Sequence, residues 1–511
     1  MMSICCYDGY LRNRPQLLKD LGLNRGADRR EDELSILTAG YRRWGREIVN
    51  HLNGGFAFVI RDEEQDVLFC ARDPFGIERF YYCLTEDGTF LCGTDLRAIV
   101  QDSHYKKVLD KDALQLYLMF GYPVGERTLY AGVRKLMPGC TLMWDGKTVR
   151  VDRYHRLSFE PDFTLSEEAW AERIDATLQE ILAEDRANFD FHEAGSFLSG
   201  GVDSSYLLSS SGVRNAVGIG VADSSVSEIP AAKAVAESLE VRFHKCVFSA
   251  EDYFGIIPSM LRSLQLPLAD ACAPAFSLGC EAASQRAGVF LSGEGADEFF
   301  AGYHVYSRAD TLGAPGAAYF GCDGMMNQET AMALLGTEHA FPLEELTAEL
   351  RAVTADAEPL SRMLAADIAL WLEGDILFGV GGSARSHGIN LLLPYADSRM
   401  FALSAAIPSA LKRKDGTGKF ILRKAAEARL GHDAAFRPKK GFPVPVKQWL
   451  RQEPTRSQVE AALFGQVSEQ FFNQELLKKV WDDYLTGDDP RLPNPYAVYI
   501  FVLWYINCFA S

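Results

Sequence analysis

Two kinds of hydrophobic periodicity divide the chain. Up to about residue 155, apolar residues come in short runs bounded by Asp, Gly and Pro. Examples are Phe56–Ile60, Val67–Ala71 and Arg79–Tyr82, and such runs predict strands separated by turns. Among them Leu34, Ile36, Leu37 and Tyr41 recur at helical spacing and predict a helix over Asp32–Trp44. This part reads as α+β. From about residue 165 the pattern changes. Ser166–Ala187 predicts a long helix, and Gly195–Leu198, Val217–Val221 and Gly288–Leu291 predict buried strands with helical stretches between them. Strands alternating with helices predict a parallel sheet covered on both faces, an α/β unit. Helices dominate the last third. The pattern weakens over Arg153–Thr164, so the expected layout is two domains, 1–155 and 165–511, joined by that linker.

Composition changes the picture in three places. A chain of 511 residues is too long for one ordinary core, which agrees with two domains. The formal net charge of −17 argues against a broad nucleic-acid footprint, although it allows a local basic pocket for phosphates. The most apolar stretch, Tyr496–Ala510, is shorter than the roughly 20 residues of a membrane span and predicts a buried C-terminal helix. Met1–Arg12 lacks a basic start followed by an apolar run, and the eleven cysteines are scattered without a CxxC pair. Both features fit reduced thiols in a cytoplasmic protein with no membrane partner.

The densest chemistry lies in Leu198-Ser-Gly-Gly-Val-Asp-Ser-Ser205, between a predicted strand and a predicted helix. Glycines let the backbone approach a ligand, and a helix N-terminus offers unpaired N–H groups to an anion. Ser199, Ser204 and Ser205 add hydroxyls. Asp203 would repel a phosphate unless it holds a Mg²⁺ that bridges to it. The run is neither a Walker loop nor a GxGxxG turn. A second loop, Ser292-Gly-Glu-Gly-Ala-Asp-Glu298, follows another predicted strand. In a parallel sheet both loops would lie at the carboxyl edge, where Asp203 and Asp297 could share one Mg²⁺. Two basic segments, Lys419–Arg423 and Arg437–Pro445, come later.

The run SGGVDSS resembles the pyrophosphate loop of the N-type ATP pyrophosphatases, which cleave ATP to AMP and pyrophosphate. Together with SGEGADE it resembles the asparagine synthetase family specifically. That resemblance implies an ATP pyrophosphatase synthetase domain with ATP and Mg²⁺ as cofactors. It places Leu198, Ser199, Gly200, Gly201, Asp203, Ser204, Gly293 and Lys419 at the nucleotide, and Asp203 and Asp297 on the metal. It also implies that Lys439 contacts pyrophosphate and the adenylated intermediate. Glu294 is then a candidate for the amine proton, or for orienting Lys439.

Asn53–Phe58, Ala71–Ile77, Phe80–Tyr82, Gly93–Asp95 and Met137–Gly139 resemble the same family's class II glutaminase, an Ntn-type sandwich. That family uses an N-terminal cysteine with its own α-amine as base. Here Cys5 and Cys6 lie inside the chain without the glycine that normally follows, and Asp8–Asn13 resembles a segment normally far downstream. The expectation is a truncated, inactive glutaminase-like domain. Arg25-Gly-Ala-Asp28 is similar to the family's RGPD motif but falls in the wrong order, so it is read as chance.

Pro394-Tyr-Ala-Asp397 matches the end of the family's acceptor segment, yet Asn390 and Leu392 stand where a glutamate and an arginine are usual. Losing charged hydrogen-bonding groups argues against free aspartate as substrate. The expected reaction is AMP-forming amide ligation between a small-molecule or peptide carboxylate and ammonia or an amine. No nucleic-acid partner is expected, and a homodimer is allowed. The competing readings are asparagine synthetase acting on aspartate, a tRNA-modifying ATP pyrophosphatase, and an inactive binding protein.

Overall fold

The computed structural model describes every residue except 1, 223–226, 315–316, 318, 322–323, 439–440, 443 and 511. The N-terminal part is built on two sheets. Strands β1 (Met2–Leu11), β2 (Gly54–Asp62), β3 (Val67–Arg72), β7 (Cys140–Trp144) and β8 (Val149–Arg153) form one antiparallel sheet in that order. Strands β5 (Phe90–Gly93), β4 (Tyr81–Leu84) and β6 (Arg134–Lys135) form the other. One core lies between the sheets, around Val59, Cys70, Phe80 and Leu142. A second lies under the helix Arg29–Trp44 on the outer face of the larger sheet. That helix begins before the expected Asp32 because Asp28 caps it, accepting the Glu31 N–H. The RGAD tetrapeptide is thus a helix start. The Arg79–Tyr82 run becomes a strand only from Tyr81, since Arg79 leaves the sheet to reach Phe378.

The second part is built on a sheet of five parallel strands. They are β9 (Ala194–Phe197), β10 (Asn215–Val221), β11 (Arg242–Phe248), β12 (Val289–Leu291) and β13 (Asn390–Leu392), in the order β11-β10-β9-β12-β13. Chain order runs outward in one direction from β9 and in the other from β12. The reversal between them is a topological switch point, where the loops leaving neighbouring strands part and open a crevice. The helix Glu167–Asn188 starts at Ser166, whose hydroxyl accepts the Ala169 N–H, close to the expected bounds. Tyr496–Trp504 is α-helical and almost wholly buried, and continues as a π-helical turn over Tyr505–Phe509. Among the described residues no helix is long and apolar enough to cross a membrane.

Buried ion pairs join the two parts. Arg12, at the end of β1, is fully buried and reaches Asp185 at 2.8 Å and Asp397 at 2.7 Å, both also fully buried. A charge taken out of water in this way needs such partners. Arg72 and Lys135 meet Glu373 at 2.9 and 2.7 Å, again away from solvent.

Candidate active site

The loop after β9 folds upon itself through its serines. The Ser199 N–H donates to Ser204 Oγ at 3.2 Å, the two hydroxyls lie 3.1 Å apart, and the Gly201 N–H donates to Ser199 Oγ at 3.2 Å. The Ser199 and Gly201 amides are thus served by short hydroxyls, at the head of the helix Val202–Ser211. Gly200 has φ +81°, and a Cβ there would lie 2.6 Å from the Ala232 amide nitrogen. No other residue fits that turn. Leu198 is buried and anchors the loop through its N–H to the Val217 carbonyl at 2.9 Å.

The loop after β12 lies directly against this one. A Cβ on Gly293 would stand 3.2 Å from Asp203 Cβ and 3.3 Å from the Ser204 amide nitrogen. Asp297, in the first turn of the helix Ala296–Phe300, comes within reach of Asp203. Between them stands Lys419. Its Nζ is 2.5 Å from Asp203 Oδ2 and 2.8 Å from Asp297 Oδ1. The lysine is 1 % exposed and the two carboxylates 18 % and 19 %. Lys419 itself has φ +56°, an uncommon conformation for a residue with a side chain, at the head of the helix Phe420–Leu430. The expectation gave Lys419 to the phosphates, and in the structure its ammonium lies between the two aspartates.

The basic segments close the cradle. Arg423 is buried and donates to the carbonyls of Gly418, Ala435 and Arg437 at 2.9, 2.7 and 2.9 Å. Arg437 in turn donates to the Gly200 carbonyl at 3.2 Å. Lys439 lies outside the described residues. Gly302 makes the lysine bridge sterically feasible, since a Cβ there would fall 1.9 Å from Asp297 Oδ1 and 2.0 Å from Lys419 Cε. Those atoms are ends of side chains and can swing away. Gly302→Ala is therefore expected to leave the thermal unfolding midpoint within a few degrees of wild type while lowering ATP–pyrophosphate exchange about tenfold or more. Equal losses of stability and exchange would contradict this.

Glu294 accepts from the Ser292 hydroxyl at 3.2 Å and faces another side of the cradle. There burial, then Asp270, Asp375 and Glu294, push the Cys272 thiol well above its ordinary pKa. Asp375 is buried in a π-helical segment, Asp367–Leu377. The sequence reading missed it, although Glu373-Gly-Asp375 interrupts an otherwise apolar run and was the available signal. Glu298 is buried, and burial together with Asp297 raises its carboxyl to about 8. It accepts a hydrogen bond from the Tyr303 hydroxyl. Of the two acceptor positions, Asn390 is exposed at the sheet edge and Leu392 lies in the core.

The donor set fits a divalent cation. Two carboxylates already converge on one positive charge, and Asp203 Oδ1 is buried without a hydrogen-bond partner among the described residues. Magnesium takes few carboxylates and completes its shell with phosphate oxygens and water. Among the described residues no cluster of three or more His, Cys, Asp or Glu could hold a metal by itself.

A parallel sheet whose switch point carries an anion loop, a carboxylate pair and a buried lysine defines a nucleotide-handling α/β enzyme. Residues 177–505, well over half of the chain, match the asparagine synthase family model, and residues 2–155 match that of the glutamine amidotransferase domain. The chain belongs to the asparagine synthase family, a family of ATP-dependent carbon–nitrogen ligases. It is 27 % identical to "Asparagine synthetase [glutamine-hydrolyzing] 1" of Bacillus subtilis (strain 168), over 98 % of this chain and 84 % of that protein. It is 28 % identical to "Putative asparagine synthetase [glutamine-hydrolyzing]" of Mycobacterium tuberculosis (strain ATCC 25618 / H37Rv), over the same shares. "Amidase chyE" of Penicillium rubens is 27 % identical over 55 % of this chain and 44 % of its own length. Among solved structures, a glutamine phosphoribosylpyrophosphate amidotransferase from B. subtilis overlaps 48 % of this chain and 45 % of its own at 14 % identity. Its TM-score is 0.21, too slight a likeness to bear on the site.

Proposed function

We propose that this chain is an AMP-forming amide ligase that activates a carboxylic acid as its acyl-adenylate and passes the acyl group to ammonia or an amine. The observation that carries this reading is the bridge of Lys419 to Asp203 and Asp297, set against the serine–glycine loop at the sheet's switch point. The Gly200 amide and the hydroxyls of Ser199 and Ser204 would bind phosphate oxygens at the positive end of the following helix, and the Ser199 and Gly201 amides would exchange their present hydroxyl partners for phosphate. Lys419 would carry positive charge toward the departing pyrophosphate, where fixed cations act most strongly. Asp203 and Asp297 would hold Mg²⁺, which when bound neutralises phosphate charge. In the first step a carboxylate oxygen bonds to the α-phosphorus and the bond to the bridging oxygen of pyrophosphate breaks. In the second, the amine nitrogen bonds to the acyl carbon, AMP leaves, and a proton passes from nitrogen to a base. Glu294 is the candidate for that base.

Ammonia or an amine is preferred over glutamine because of what surrounds the thiols near the N-terminus. Cys5 is exposed in the middle of β1. Cys6 Sγ lies 3.4 Å from Thr94 Oγ1, and that hydroxyl donates to Asp8. The exposed Asn390 and the core Leu392 support an acid less charged than aspartate, while the names of the relatives favour aspartate itself.

Exchange of labelled pyrophosphate into ATP, run across a panel of carboxylic acids with and without glutamine, tests the reading. Exchange that depends on one acid, with an amide product from ammonia or an amine, is expected. Exchange with aspartate and asparagine as product would make the chain an asparagine synthetase. Release of glutamate from glutamine would restore the glutaminase. No exchange with any acid would leave a binding protein.

A further inference from the structure

The N-terminal unit is fitted tightly to the synthetase unit. The fit is concentrated on one helix. The segment Asp367–Leu377 runs as a π-helix into the α-helix Phe378–Ser386, and the N-terminal unit holds it at four points. Arg72 Nη1 and Lys135 Nζ bind the two oxygens of Glu373 at 2.9 and 2.7 Å. Burial alone would raise the Glu373 carboxyl, but Lys135 and then Arg72 hold it below the ordinary range. Tyr122 packs edge-on against Trp371, with ring centroids 5.7 Å apart, and fills the space at Gly374, where a Cβ would stand 2.6 Å from its ring. Arg79 donates to the Phe378 carbonyl at 2.8 Å, and its guanidinium occupies the space a side chain at Gly382 would need. Arg385 pairs with Asp8 and Glu78.

Residues two apart on a helix leave it on roughly opposite sides. With Glu373 turned to the N-terminal unit, Asp375 is buried on another side of the helix, near enough to Cys272 that its charge acts on that thiol, as do those of Asp270 and Glu294. The π-turn is a rare conformation, often met at functional sites. It is held here by contacts that require glycine at Gly374 and also at Gly76, where a Cβ would lie 2.9 Å from Glu373 Cγ.

We infer that the N-terminal unit serves the synthetase site as a clamp, with Arg72 and Lys135 as positioning residues that hold Glu373 so that the π-helical turn sets Asp375 against the Glu294 side of the cradle. The inference rests on the proposed function only in calling that side catalytic, while the placement itself stands on the contacts above. A rivet that merely glued the units together would change stability and nothing else. Arg12 is the control for that case, being an equally buried cross-unit rivet whose partners, Asp185 and Asp397, lie outside the π-helical segment.

The test uses Cys272, which feels the Asp375 carboxylate, in the full-length protein. Its rate of alkylation by iodoacetamide at pH 9 is followed by peptide mass spectrometry. Asp375→Asn removes a charge that opposes the thiolate, and should speed alkylation about threefold or more. Glu373→Gln and Lys135→Met should speed it in the same direction, while Arg12→Met, whatever it does to the unfolding midpoint, should not. In exchange assays the first two variants should lose kcat, about tenfold, with the KM for ATP unchanged. Unaltered alkylation in Glu373→Gln and Lys135→Met, or in Asp375→Asn, overturns the clamp. So does equal acceleration in Arg12→Met. If alkylation responds as expected but wild type exchanges with no acid, the clamp stands and the ligase reading falls.

Discussion

Replacing Lys419 by methionine is expected to lower pyrophosphate–ATP exchange by about 10²–10³-fold, the loss that follows when a fixed charge at a reacting centre is removed. The variant keeps the volume of the side chain but leaves the carboxylates of Asp203 and Asp297 facing each other across the vacated space. Each is about one-fifth exposed, so water screens part of their repulsion and the fold survives. A divalent cation can then take over the role of the ammonium. Added MgCl₂ should raise the unfolding temperature of Lys419→Met more than that of wild type, and thermal shift with and without the salt measures this. Exchange within threefold of wild type would remove the cradle from the mechanism, and with it the assignment of Asp203 and Asp297.

The second large effect is one of stability and concerns Lys412, far from any role proposed above. It is buried, its Nζ has no hydrogen-bond partner among the described residues, and it stands 5.5 Å from the centroid of the Phe159 ring. Burial lowers its pKa from 10.5 to about 7, with Glu358 pulling weakly the other way. The unfolded chain keeps this proton up to about pH 10.5, while the folded chain releases it above about 7. Between those values the unfolded state binds more protons, so stability rises with pH, by roughly 1.4 kcal/mol per unit from this group. Below pH 7 both states are protonated and the full cost of the buried charge is present. Lys412→Met should therefore stabilise the protein at pH 7 by a few kcal/mol, and the advantage should shrink steadily toward pH 10. Denaturant unfolding at pH 7 and pH 9.5 decides it. An equal effect at both pH values, or a destabilisation at pH 7, would show that the charge is compensated.

Local structure was largely legible along the chain because its causes are local. Ser166 begins a helix because its hydroxyl can serve an orphan amide three residues on, and alternating or continuous apolar runs mark β2, β3, β10 and β12 for what they are. The serine–glycine loop and the acidic loop could be recognised as chemistry for the same reason, since each is a contiguous run. Asp28 was readable in principle as a cap but was set aside as a chance likeness to a motif. Arg79 was misread as a strand residue because its partner, the Phe378 carbonyl, lies about three hundred residues away.

What the sequence alone determined, then, is the two-part layout, the character of each sheet, and the two loops of serine, glycine and acidic residues that the proposed function uses. Only the tertiary structure decided which of those residues meet one another. The strand order β11-β10-β9-β12-β13 puts the loops of Asp203 and Asp297 side by side, Gly302 leaves room for Lys419 between them, and Glu373 turns away from Asp375 to be held by the other unit. A residue's backbone preference is set by its few neighbours in the chain. A buried charge's partner is set by how sheets and helices pack, because only after water has been excluded does an unpaired charge become too costly to leave alone.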